Sequence, residues 1–241
     1  MMQQQLTLNV GIRDGHRFSS FFVTPENAEL LGILKRGFEQ HFPQIFLWGD
    51  TLAGKSHLLQ ACCENYYQAG LMAAYFPLKT CAQYGLRMLA GLENKHLVVI
   101  DELDAVIGQR DWEEALVHLI NACRANNQPL LFAARTSPRE MVCALPDFSS
   151  RLLWGPDYRV HVMSEEQCMQ AMAWRAHQRG FELPTHVMKY IQRHYPHDIK
   201  TLVTMLNRLD AASLTKGRKV TREFIREVMQ DSVSPAQAVL Q

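Results

Sequence analysis

Gly49-Asp50-Thr51-Leu52-Ala53-Gly54-Lys55-Ser56 follows the apolar run Ile45-Phe46-Leu47-Trp48 and precedes Ser56 to Gln68, where Leu58, Leu59, Cys62 and Tyr66 recur at helical spacing. The stretch is a complete G-x-x-x-x-G-K-[ST] pattern set between a predicted strand and a predicted helix. Its glycines permit a backbone whose successive N–H groups converge on phosphate oxygens. Lys55 is expected to reach the outer phosphates, and Ser56 to offer its hydroxyl to Mg²⁺. The helix adds the positive end of its dipole. The ligand expected here is ADP or ATP with Mg²⁺.

Outward from this loop the chain alternates. Ala73 to Phe76 reads as a second strand closed by Pro77, and a helical stretch surrounds Cys81 to Leu89. His96 to Ile100 is rich in branched residues, as a strand buried on both faces would be. Trp112 to Ala125 is helical and Leu130 to Ala134 is another buried strand. Val160 and Val162, alternating with Arg159 and His161, suggest a last strand near the sheet edge. Five strands separated by helices predict an α/β fold, a parallel sheet with helices on both faces.

After Met163 the strand pattern stops. Ser164 and Gln167 form a capping box, and Gly180 supplies a left-handed stop. Pro184 opens a helix to Tyr195, another runs from about Asp198 to Leu214, and Thr221 caps a last one to Gln230. The expected organisation is a tail over 1–15, an α/β core over 16–162, a small all-α domain over 163–231 and a second tail over 232–241.

The strand Leu97-Val98-Val99-Ile100 delivers Asp101-Glu102 at its C-terminal end. An acid at Asp101 suits Mg²⁺ held through water, and Glu102 suits the orientation of a water for attack on the terminal phosphate. Composition sets limits on other classes. With 25 Lys and Arg against 24 Asp and Glu, the net charge of +1 creates no global field toward nucleic acid or an anionic membrane. The apolar runs are far shorter than the roughly 18 residues of a membrane span, and the polar start lacks a signal peptide's features, so a cytoplasmic location is expected. Six cysteines without a CxxC pair argue for core thiols rather than a zinc site.

These motifs, the helical domain and Asp147-Phe148-Ser149-Ser150-Arg151-Leu152-Leu153-Trp154-Gly155 make the chain resemble the AAA+ ATPases of the bacterial initiator DnaA group. Within that group it is most similar to the Hda family of small DnaA paralogues. Arg17-Phe18-Ser19-Ser20-Phe21-Phe22 looks like the group's segment beside the nucleotide base, and Arg179-Gly180-Phe181-Glu182-Leu183-Pro184 looks like the Hda lid. The resemblance implies an AAA+ core with an all-α lid and a nucleotide held by Gly49 to His57 and by Lys200. It also implies an arginine at Arg151 that acts in trans on a neighbour's nucleotide. Read without the family, Arg151 is equally a structural surface residue.

Gln5-Leu6-Thr7-Leu8-Asn9-Val10 resembles the family's peptide for the sliding clamp of the replicative polymerase, with Gln5, Leu6, Leu8 and Val10 filling the clamp pocket. The family commonly has proline where Asn9 stands. A frayed tail or edge strand is the plain alternative. Three further departures stand out. Leu131 to Thr136 puts alanines where such ATPases keep a polar sensor, leaving the role empty or moving it to Arg135 or Thr136. The lid sensor, normally arginine, falls on Lys200 or His197. Lys55, by contrast, stands where Hda proteins often carry arginine.

The implied function is an adaptor, monomeric or homodimeric, that docks on the clamp and stimulates ATP hydrolysis by DnaA through Arg151, restraining replication initiation. Intact Lys55 and Glu102 keep open a self-acting ATPase of the helicase-loader type. The chain ends shortly after its last predicted helix, where DnaA continues into a DNA-binding domain, so sequence-specific duplex recognition is not expected.

Overall fold

A computed structural model describes residues 16–36, 44–216 and 221–230. Its strands are β1 (Gln44–Trp48), β2 (Ala73–Pro77), β3 (Leu97–Asp101), β4 (Leu130–Ala134) and β5 (Asp157–Arg159), all parallel, in the order β2-β3-β4-β1-β5. The helices of this part are α1 (Ala28–Arg36), α2 (Lys55–Gln68), α3 (Leu78–Cys81), α4 (Arg110–Ala125) and α5 (Pro146–Leu152).

Alternate residues of the central strands feed two cores. Phe46, Val98, Ile100, Leu130 and Phe132 face one way, against Leu116 and Ile120 of α4 and Phe148 and Leu152 of α5. Ile45, Leu47, Leu97, Val99, Leu131 and Ala133 face the other, against Leu58 and Leu59 of α2 and Leu30, Leu31 and Leu34 of α1. Each fully buried aliphatic side chain is worth about 1.5–3 kcal/mol, so both faces of the sheet need a helical cover. That is why β3 and β4 read as unbroken apolar runs.

The structure departs from the sequence reading in places. The last strand is Asp157–Arg159 rather than the Val160 and Val162 alternation. Its residues are polar because it lies at the sheet edge, and its register comes from pairing with β1. Val160 follows it as a buried residue, and its N–H donates to the Trp48 carbonyl at 2.7 Å. The expected helix around Cys81 to Leu89 is broken at Gly85 (φ +84°) into short 3₁₀ turns over 82–84 and 86–89. Two helices, α1 and α5, were not anticipated.

The chain divides into two units, Met1–Val162 and Met163–Gln241. The second is built from α6 (Glu165–Gln178), α7 (Thr185–His194), α8 (Ile199–Lys216) and α9 (Arg222–Gln230). Ser164 starts α6 by accepting the Gln167 N–H, while the Gln167 side chain accepts the Ser164 N–H at 2.8 Å. Met172, Val187, Ile191, Leu202, Met205, Leu206, Leu209, Phe224 and Ile225 form its core. All six cysteines are free and five are buried. Among the described residues no helix is long and apolar enough to cross a membrane.

Candidate functional site

The phosphate-type loop joins β1 to α2. Gly49 has φ +146°, and a Cβ on it would collide with the Val160 carbonyl oxygen. Gly54, at φ +98°, is the N-cap of α2, and a Cβ there would lie 2.9 Å from the Phe21 ring. Leu52 is left-handed (φ +70°) without being glycine and holds its side chain out to solvent. Strain of this kind is worth about 1–3 kcal/mol per residue and persists where the surroundings over-determine the backbone. The Gly49 N–H donates to the Arg135 carbonyl at 3.2 Å, which ties the loop to the end of β4. Asp50 and Thr51 lie on the exposed arch of the loop, and Ala53 packs into the core.

Lys55 folds back over this arch. Its Nζ donates to the Gly49 and Asp50 carbonyls at 2.6 and 2.9 Å. Burial pulls the ammonium pKa below its ordinary value, against the charges of Asp101, Asp104 and Asp50. Two of these acids, Asp101 and Asp104, also act on Glu102: burial raises its carboxyl first, and the Asp101 charge raises it further. Glu102 itself is left-handed, at φ +57°. Asp101 is 2% exposed and accepts the Tyr75 hydroxyl at 2.6 Å and the Glu102 N–H at 2.8 Å. Asp104 accepts the Arg135 N–H on both oxygens, and the Arg135 charge depresses Lys55 and Glu102 alike. The fold therefore gathers Gly49 to Ser56, Asp101, Glu102 and Arg135 at the C-terminal ends of β1, β3 and β4.

His57 serves as a clasp. Its Nε2 lies 3.0 Å from the Arg17 carbonyl and 3.2 Å from Ser20 Oγ, and its ring packs on Phe21 and His16. Arg17 pairs with Glu64 at 3.3 Å, and His16 meets Gln60 at 2.6 Å. The segment from His16 to Phe21 is thus held along the first turns of α2, beside the loop.

Arg151 is elsewhere. Gln44 Nε2 donates to the Arg151 carbonyl at 2.8 Å and to that of Leu152 at 3.2 Å, which places the end of α5 at the N-terminal end of β1. The Arg151 side chain, 16% exposed, pairs with Asp147, donates to Asn121 Oδ1 at 3.0 Å and lies 5.1 Å from the Trp154 ring centroid. Lys200 belongs to the second unit, exposed in the first turn of α8, and His197 there meets Glu165 at 3.0 Å. Gln5, Leu6, Leu8 and Val10 lie outside the described residues. The sequence reading missed Tyr75, which carries no motif signal. It named His57 among the nucleotide-binding residues but gave no sign of its contacts with Arg17 and Ser20.

The sheet order, the loop after β1 and the acids after β3 define a P-loop AAA+ core of the DnaA type, followed by a helical lid. The fold matches domain III of the Thermotoga maritima replication initiation protein DnaA with a TM-score of 0.71 and 18% identity, over 93% of this chain and 100% of that one. AMPPCP-bound DnaA from Aquifex aeolicus gives 0.68 and 14% over 90% and 80%. DnaA bound to AMPPCP and single-stranded DNA gives 0.69 and 16% over 86% and 69%. Residues 165–229 match the family model described as Hda, lid domain. The chain is DnaA-like in fold, and its residues 165–229 are similar to the Hda lid.

Proposed function

We propose that this chain is a nucleotide-bound AAA+ regulator of replication initiation that acts on DnaA through Arg151. The observation that carries the reading is the position of Arg151, joined in one chain to an Hda-type lid. β1 spans five residues at roughly 3.3 Å each, so about 16 Å of strand separates the Arg151 end from the loop at Gly49. An arginine so placed serves a nucleotide other than its own. Charge on a transferring phosphoryl group in a neighbouring ATPase is the target such a guanidinium fits, with effects of about 10³–10⁵ in rate where arginine fingers operate.

The chain's own loop suits ADP or ATP. Backbone N–H groups of the loop other than those of Gly49 and Ala53, which already have carbonyl partners, hold the phosphates, Lys55 leaves its carbonyl partners for phosphate oxygens, and His57 keeps Phe21 in place beside the loop. Ser56 and Asp101 supply hard oxygen donors of the kind Mg²⁺ prefers. Bound Mg²⁺ neutralises phosphate charge. Gln5, Leu6, Leu8 and Val10 dock the chain on the sliding clamp.

The test is a reconstitution with DnaA–ATP and clamp loaded on DNA. The wild-type chain should accelerate conversion to DnaA–ADP, and Arg151→Ala should not; equal stimulation by both removes the assignment. A clamp pull-down unchanged by Gln5→Ala with Leu6→Ala removes the docking claim. Glu102 favours a second reading, a self-acting ATPase forming homo-oligomers. Turnover by the isolated chain that rises with its concentration and vanishes in Glu102→Gln would select it.

A further inference from the structure

Tyr75 sits on β2 opposite Val99 of β3, so Asp101 is its diagonal neighbour on the same sheet face. Its hydroxyl donates to Asp101 Oδ2 at 2.6 Å. Ser56 and Gln60, one turn apart on α2, act on the same hydroxyl from the helix side. The phenol therefore ties β2 to β3 and faces α2. It does so at Asp101, one of the two residues whose oxygens suit Mg²⁺.

The other Asp101 oxygen is held by the Glu102 N–H at 2.8 Å. A carboxylate has about four lone-pair positions, so these two bonds orient it and still leave acceptor capacity for a cation or its water. A free carboxylate would turn about its last bond. Tyr75, together with the Glu102 N–H, removes that freedom. Partners that orient metal ligands from behind typically change metal affinity by about 10–100-fold when removed.

We propose that Tyr75 is a positioning residue for a divalent cation at Asp101 and Ser56, its hydroxyl fixing the Asp101 carboxylate in the arrangement that the cation requires. The proposal rests on the reading of the loop as a nucleotide site, because the cation arrives with the phosphates.

The experiment is calorimetric titration of ADP into the full-length protein, with Mg²⁺ and with EDTA, for wild type and Tyr75→Phe. Wild type should bind ADP more tightly with Mg²⁺. Tyr75→Phe should keep the EDTA affinity within about twofold and lose about tenfold of the Mg²⁺-dependent gain. A residue that merely satisfies its own hydroxyl would lower the melting temperature and leave that gain unchanged; this result overturns the proposal. A wild-type protein that binds ADP equally with and without Mg²⁺ also overturns it and leaves the nucleotide reading standing. No ADP binding under either condition removes the nucleotide reading itself. Should Tyr75→Phe fail to fold, Gln60→Leu, which replaces a polar neighbour of the same oxygen, should show a smaller loss of the Mg²⁺-dependent gain, and an unchanged gain counts against the proposal.

Discussion

Gln44 holds the carbonyl of Arg151 at 2.8 Å, which fixes the arginine helix at the opposite end of β1 from the loop that begins at Gly49. A single strand thus separates the Arg151 end of α5 from the loop over Gly49 to Ser56. Glycine at position 155 permits the approach, since a Cβ there would overlap the Gln44 carbonyl.

This separation predicts separable phenotypes. Arg151→Ala should reduce stimulation of DnaA-bound ATP hydrolysis by about 10³-fold while leaving ADP affinity of this chain within about twofold. Single-turnover hydrolysis and calorimetry on the same preparation check both halves.

Asp147 and Asn121 both engage the Arg151 side chain. If a partner must draw the guanidinium away, Asp147→Asn weakens the internal ion pair and should raise stimulation at limiting protein. The measurement is the concentration for half-maximal stimulation, and a rise in that concentration would count against a parked arginine.

Glu113 is fully buried and its carboxylate accepts the N–H groups of Gly108, Ala144 and Leu145 at 2.7, 3.0 and 2.7 Å. Leu145 is the N-cap of α5, so this acid sets where the arginine helix begins. Glu113→Ala takes the acceptor from three N–H groups, two of them on exposed residues that water can reach, and should cost about 1–3 kcal/mol in urea denaturation. Glu113→Gln should cost less, because one acceptor oxygen remains.

The two loop glycines should behave differently. Gly49→Ala drives a Cβ into backbone at Val160 and should lower stability sharply. Gly54→Ala meets only the edge of the Phe21 ring at 2.9 Å, which can turn. Its cost is the strain of a left-handed alanine, about 1–3 kcal/mol, together with a large loss of nucleotide affinity. Thermal melts and ADP calorimetry distinguish the pair.

The raised carboxyl of Glu102 has a pH signature. Burial and the Asp101 charge favour its neutral form in the folded protein. Between the unfolded and folded pKa values the native state therefore binds more protons, and stability falls as pH rises through that window. Glu102→Gln should melt higher than wild type at neutral pH, with the difference closing as pH drops below the ordinary carboxylate range of about 4.

The sequence by itself determined the glycine-bounded loop from Gly49 to Ser56, the buried strands β1, β3 and β4, the acids at the end of β3 and the capping box at Ser164. Each is a local pattern: apolar runs record burial on two faces, glycines record special backbone angles, and a serine with a glutamine three residues on records a helix start. Tertiary structure alone decided β5, whose polar residues pair with β1 only because the sheet has an edge there. It also decided α5 and the site of Arg151, set by Gln44 and Glu113 from distant parts of the chain, and the place of Tyr75 against Asp101. Such contacts join residues on different elements, and their distances depend on how strands and helices pack. No spacing along one segment encodes them.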